Sequence, residues 1–149
     1  NKNKKMSSYI KFKSHHNQAI IPSRAGENEV GFDLTIISKS KDISPNTAMY
    51  DSFISVQPPD GVYFEIVPRS SLSKTGYILT NSIGIIDPSY RGTLKVVLTK
   101  INPDAPDIEL PNKRFQLIPR TFISNVFQVK EVNKLSNTTR GTGGFGSTD

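Results

Sequence analysis

The stretch NSIGIIDPSYRGTL (residues 81–94) sets one carboxylate, Asp87, between an apolar run of Ile83, Ile85 and Ile86 and a turn made by Pro88 and Ser89. Tyr90 and Arg91 stand directly behind it. An isolated carboxylate buried beside isoleucines would be costly unless hydrogen-bonded, so the chain is either tolerating this charge or using it. A second segment, PRSSLSK (68–74), suits phosphate: Arg69 brings a guanidinium, Ser70 and Ser71 bring hydroxyls, and a turn entering a short helix offers its amides. The plain alternative there is a capped helical turn. A third, RGTGGFGSTD (140–149), pairs Arg140 and Phe145 with glycines whose unobstructed N–H groups can wrap phosphate oxygens. Arg140 can fork onto those oxygens and Phe145 can cover a flat ring. A polar, glycine-rich disordered end is its plain alternative. In EVGFDLT (29–35), Gly31 and Asp33 open a strand, which read alone is a bulge with a surface carboxylate.

Other chemistries lack their residues. His15 and His16 have no spaced carboxylate or third histidine to complete a metal site, and there is no H-E-x-x-H, Walker loop or nucleophile elbow. GTGGFG (141–146) matches the spacing of the dinucleotide fingerprint. That fingerprint also needs a preceding strand, a following helix and an acid roughly 20 residues on, and only three residues follow Gly146. There is no cysteine, which removes disulfides and thiolate metal sites, and no apolar run approaches the ~20 residues of a membrane span. Nineteen Lys and Arg against thirteen Asp and Glu give a formal charge of +6 and favour an anionic partner. Apart from the N-terminal lysines and Lys113-Arg114 the basic residues are scattered singly, without aromatic interleaving, so direct nucleic-acid binding is not expected.

The elements that must position these residues read as strands. Helical periodicity is nearly absent, and ten prolines and ten glycines cut the chain into short pieces. GVYFEIVP (61–68) puts Val62, Phe64 and Ile66 on one face and Tyr63, Glu65 and Val67 on the other. TLKVVLTK (93–100) alternates Leu94, Val96 and Leu98 against Thr93, Lys95 and Val97. Similar runs occur at FDLTII (32–37), SFISV (52–56), GYIL (76–79) and NVFQVKEV (125–132), at the rhythm of a sandwich or barrel. Only residues 70–74 suggest a helical turn. The length of 149 residues fits one domain over residues 1–132, with residues 1–6 a candidate extension ahead of a natural start at Met6. Residues 133–149 then form a mobile C-terminal arm.

In the order GFDLT, PRSSL, NSIGIIDPSYRG, KRFQLI, RGTGGFGST, these segments resemble the five motifs of the trimeric all-β dUTP pyrophosphatases, the dUTPase family. The resemblance spans Gly31 to Thr148, and its most specific parts are N-x-x-G-x-I-D-x-x-Y-R-G and R-G-x-G-G-F-G-S-T. It implies an all-β, dUTPase-like β-barrel or jelly-roll-type fold with one short helix and a glycine-rich arm. It also implies hydrolysis of dUTP to dUMP and pyrophosphate, by Mg²⁺-assisted in-line attack of water on the α-phosphate. That activity limits uracil in DNA and supplies dUMP for thymidylate synthesis. Asp87 matches the carboxylate that deprotonates the water; Asn81 and the backbone of Gly84, Ile85 and Ile86 match the uracil reader; Tyr90 matches the residue against deoxyribose. Arg69, Ser70, Ser71 and Gln116 match phosphate contacts. Phe145 would stack on uracil while Arg140, Gly146, Ser147 and Thr148 grip the outer phosphates. Asp33 would reach Mg²⁺ through water.

The family's sites lie between subunits of a homotrimer, with the arm given by a third chain. An intracellular, soluble location in cytoplasm or nucleus follows, compatible with a viral as well as a cellular source. Two departures stand out. The fourth motif has either Lys113 in place of its usual arginine or one residue fewer between Arg114 and Gln116, and Ser71 stands where glycine is common. Two other readings share the scaffold: a dCTP deaminase-like enzyme, which needs a glutamate at the cytosine ring, and a non-catalytic nucleotide-binding regulatory protein.

Overall fold

A computed structural model describes residues 9–123 and 126–146. The strands are β1 (Lys11–Ser14), β2 (Phe32–Ile36), β3 (Ser38–Ser44), β4 (Thr47–Asp51), β5 (Ile54–Gln57), β6 (Val62–Pro68), β7 (Tyr77–Leu79), β8 (Gly84–Ile86), β9 (Lys95–Lys100) and β10 (Asn112–Thr121). One 3₁₀ helix, Ser70–Lys74, lies where the sequence suggests a helical turn. The strands make two four-stranded sheets, β2-β10-β6-β8 and β3-β4-β9-β7, and a ribbon, β1-β5. Every ladder is antiparallel. This is the all-β, jelly-roll-type architecture expected. No helix among the described residues is long and apolar enough to cross a membrane.

The core follows from period-2 alternation. Leu34 and Ile36 from β2, Phe64 and Ile66 from β6, and Phe115 and Leu117 from β10 meet Tyr50 of β4, Tyr77 and Leu79 of β7, and Val96 and Leu98 of β9. Leu72 of the 3₁₀ helix plugs the same core, which fixes where Arg69 and Ser70 emerge. Because the inward rows are apolar, the alternate residues of the first sheet point outward. Asp33 stands opposite Gln116, and Gln116 opposite Val67, in one row across β2, β10 and β6.

One expectation is corrected. Residues 126–132 form no strand and are exposed, with Phe127 at 66% and Val129 at 103%. The segment has strand-forming residues, yet no strand among the described residues pairs with it to complete a ladder. Asn125 of that run lies outside the described residues. Conversely β10 runs straight through Pro119, a residue that argues against a central strand. β2 ends at Phe32, opposite Leu117, so at Pro119 the ladder continues only to β6, through Phe64. There β10 is an edge toward β2, where a missing N–H is tolerated.

Candidate active site

The hairpin 81–91 is built on a tight corner. Ser82 donates its N–H to the Leu79 carbonyl (3.0 Å) and sits at φ 63°, and Ile83 N–H donates to the Asn81 carbonyl (2.6 Å). β8 then pairs with β6, Gly84 opposite Ile66 and Ile86 opposite Phe64. The Asn81 side chain folds back over this strand: a methyl group placed on Gly84 would lie 3.5 Å from its Nδ2. Past β8 the chain turns, with Tyr90 N–H donating to the Asp87 carbonyl (3.0 Å). Arg91 braces that turn by donating from Nη1 to the Pro88 carbonyl at 2.6 Å. Sequence reasoning gave Arg91 no role; a cation two residues after a Pro-Ser turn is the signal that was there to read.

Asp87 is exposed, and its carboxylate has no hydrogen-bond or ion-pair partner among the described residues. The isoleucines beside it are not a closed pocket on this chain either: Ile85 is 56% and Ile83 47% exposed. The charge therefore carries no burial penalty here, and its apolar neighbours are left bare.

The phosphate-suited residues gather at the other end of β6. Arg69 Nε lies 3.4 Å from Asp33 Oδ1, and Arg69 Nη1 donates to the Lys113 carbonyl at 2.9 Å. That carbonyl is available because β10 bulges, Asn112 facing Ile36 while Phe115 faces Leu34, so one extra residue is accommodated. The Arg69 N–H donates to the Arg114 carbonyl in the same bulge (2.8 Å). Arg114 spends its guanidinium on the Ser71 carbonyl (2.7 Å), tying the 3₁₀ helix to β10. Ser71 is thus half-buried under a brace, while Ser70 is exposed with its carbonyl accepting from Ser73 Oγ (2.7 Å).

Gln116 donates Nε2 to the Pro68 carbonyl at 3.2 Å. Its Oε1 occupies the space over Gly31, where an added Cβ would lie only 2.3 Å away. Gly31 is needed there for room, at a backbone angle any residue adopts. A cavity of about 540 Å³ lies between Arg69, Ser70, Leu72, Ile78 and Ser82, so the phosphate segment and the first corner of the hairpin share one concave surface.

On one chain these groups do not all converge. Asp87 leaves β8 beyond Phe64, whereas Arg69 leaves the far end of β6. Five extended residues at ~3.3 Å each put roughly 16 Å between the two ends. On the arm, the Phe145 ring is fully exposed, and Arg140 Nε donates to the Gly143 carbonyl (2.7 Å). Phe145 and Gly146 take φ 54° and 78°. Ser147 and Thr148 lie outside the described residues.

A resident metal held by protein alone would need several ligands together, and no group of three or more His, Cys, Asp or Glu with that geometry occurs among the described residues. Asp33 offers one half-exposed carboxylate beside Arg69 and Gln116. A lone carboxylate next to phosphate-suited groups fits Mg²⁺, which keeps its waters and shares its coordination with phosphates.

The dUTPase family model matches residues 17–149. The deoxyuridine 5'-triphosphate nucleotidohydrolase of Solanum lycopersicum is 32% identical over 140 residues, covering 94% of this chain and 81% of that protein. Among solved structures, the Staphylococcus bacteriophage 80alpha dUTPase with dUPNHPP superposes with a TM-score of 0.80 at 20% identity, covering 96% of this chain and 99% of its own. The dUTPase of phage phi11 of S. aureus, in which coordination of a structural Mg(II) ion was described, gives 0.71 at 16% identity over 87% of this chain and 99% of its own.

Proposed function

Because the chain belongs to the dUTPase family, we propose that Asp87 is the general base of a reaction completed only where two or three copies meet. The enzyme is a dUTP diphosphatase: it hydrolyses dUTP to dUMP and pyrophosphate. A water oxygen attacks the α-phosphorus in line with the bridging oxygen to the β-phosphate. Asp87 takes the water's proton, the Pα–O bond breaks, and pyrophosphate leaves with the bond pair. A base needs its water within hydrogen-bond reach, about 3 Å, and a side chain free to accept. The unpartnered Asp87 carboxylate meets the second condition.

Asn81 and the backbone of Gly84, Ile85 and Ile86 read uracil, and Tyr90 packs on the deoxyribose. Arg69, Ser70, Ser71 and Gln116 neutralise and orient the phosphates; Arg114 holds the turn that carries Ser71 by donating to its carbonyl. Mg²⁺, when bound, polarises the phosphates and offsets their charge. Asp33 would hold it through water.

The single observation that carries the shared site is the separation of Asp87 from Arg69 along β6. A triphosphate whose innermost phosphorus sits at the base's water does not span roughly 16 Å to the other end of one chain. A neighbouring copy's phosphate cluster brought against the hairpin resolves this, and it covers Ile83, Ile85 and Tyr90, which are bare on one chain. A homotrimer closes such a head-to-tail arrangement. The covered hairpin then excludes bulk water from the base. The arm, residues 133–149, brings Phe145 over uracil, with Arg140, Gly146, Ser147 and Thr148 on the outer phosphates. An intracellular nucleotide as substrate puts the enzyme inside a cell.

The deaminase reading is not favoured. Glu65, which register sets opposite Ile85 of the hairpin, is tied to Arg120 Nε (3.1 Å) and to the Tyr63 hydroxyl (3.3 Å). Pyrophosphate release measured with dUTP, dTTP, dCTP and UTP tests the proposal. Activity on dUTP alone is expected; ammonia release from dCTP, or binding of dUTP without turnover, would overturn it.

A further inference from the structure

Gly92 follows the Tyr90-Arg91 pair and is exposed, which makes it look like an ordinary turn glycine. Its φ lies outside the left-handed region, so the backbone there does not require glycine. What it provides is space. A Cβ on residue 92 would lie 2.4 Å from the Tyr90 hydroxyl oxygen, 2.6 Å from Cζ and 2.9 Å from Cε1. The ring therefore rests flush on the residue 92 backbone, and its hydroxyl donates to the Thr93 carbonyl at 2.9 Å.

The backbone beneath is held by hydrogen bonds. Thr93 Oγ1 donates to Oδ2 of Asp51 at 3.0 Å, and Lys95 Nζ donates to the same threonine hydroxyl at 2.9 Å. Asp51 is only 6% exposed, and its other oxygen accepts the Phe53 N–H at 2.8 Å. Leu94 next door is tied on both sides: its N–H donates to the Ile54 carbonyl, and its carbonyl accepts the Ser52 N–H. A buried carboxylate is thus spent on holding the strand entry against which Tyr90 leans. A buried charge is tolerated only when its hydrogen bonds are made, as they are here.

We propose that Gly92, anchored through Thr93 to Asp51, is the seat of Tyr90 and hence a positioning residue for rejection of ribonucleotides. The inference rests on the reading that Tyr90 packs on the deoxyribose. A ring held by its hydroxyl and by contact with bare backbone resists displacement by a 2′-hydroxyl. A side chain at 92 lifts the ring and opens that space.

The test compares full-length wild type with Gly92→Ala, Thr93→Val, Tyr90→Ala and the Gly92→Ala/Tyr90→Ala double variant, using kcat/KM for dUTP and UTP from pyrophosphate release, with thermal unfolding alongside. Gly92→Ala is expected to raise the UTP-to-dUTP ratio about tenfold or more with an unchanged unfolding midpoint. Thr93→Val should shift the ratio in the same direction. The double variant should match Tyr90→Ala, because without the ring there is nothing to displace. If Tyr90→Ala relaxes selection and Gly92→Ala does not, the seat is refuted while the role of Tyr90 stands. If Tyr90→Ala leaves the ratio unmoved, the underlying reading of Tyr90 is what fails. Should Gly92→Ala not fold, Thr93→Val decides: an unchanged ratio overturns the inference.

Discussion

The Arg69 guanidinium lies beside the Asp33 carboxylate, Nε to Oδ1 3.4 Å, on the outer face of the sheet made by β2, β10 and β6. Both side chains are more than a third exposed, at 37% and 36%, so solvent screens the pair and it holds under about 1 kcal/mol. A pair this weak is easily opened, as the proposed turn of Arg69 to a phosphate and of Asp33 to a hydrated cation requires.

Asp33→Asn should leave stability within about 1 kcal/mol of wild type, since so little is lost. It should raise the Mg²⁺ concentration needed for half-maximal rate severalfold. Mg²⁺ titration of pyrophosphate release, with a thermal melt beside it, checks both. A variant that unfolds early with an unchanged Mg²⁺ dependence would make the residue structural.

Gly31→Ala should act through Gln116. The added Cβ would meet Oε1 at 2.3 Å and Gln116 Cβ at 3.1 Å, so the amide must leave its place against the Pro68 carbonyl. The expected loss in kcat/KM matches that of Gln116→Ala, on the order of tenfold for one hydrogen bond to a charged phosphate. Combining the two substitutions should add nothing further. Full additivity in that cycle would show that Gly31 does not work through the glutamine.

Mixing two inactive variants tests the division of the site. Asp87→Asn spoils the hairpin and Arg69→Ala spoils the phosphate cluster. If each site takes its hairpin and its cluster from different copies, randomly reassembled trimers hold about a quarter of their sites intact. Unfolding and refolding an equimolar mixture should therefore recover about that fraction of wild-type rate. No recovery would place both groups on one chain.

Much of this was legible in the sequence because alternation is enforced by the core. Phe64 and Ile66 are inward on β6, and Leu94, Val96 and Leu98 line up leading into and along β9, as their spacing requires. β3 was not legible: SKSKDIS is a polar edge strand, nearly all exposed, held by its ladder to β4 and by no apolar face. β10 was hidden by Pro119 and by the bulge at residues 112–115. At that bulge Arg114 braces Ser71 while the Lys113 carbonyl receives Arg69.

For the site, order and spacing marked the candidate residues, but not their grouping. Nothing local in the sequence says that Asp33, Arg69 and Gln116 meet while Asp87 stands at the other end of β6. That follows from which strands pair, and from register. The roles of Gly31 and Gly92 were equally out of reach, because each is defined by a side chain two or more residues away occupying the space it leaves open.

The role of Asp87 is tested most directly by single-turnover pyrophosphate release from dUTP with Asp87→Asn, alongside binding of a non-hydrolysable dUTP analogue. The substitution keeps the side chain's size and removes its ability to take a proton. Unchanged analogue affinity with turnover lower by about a thousandfold or more is expected. Turnover within a few-fold of wild type would contradict the assignment of Asp87 as the base.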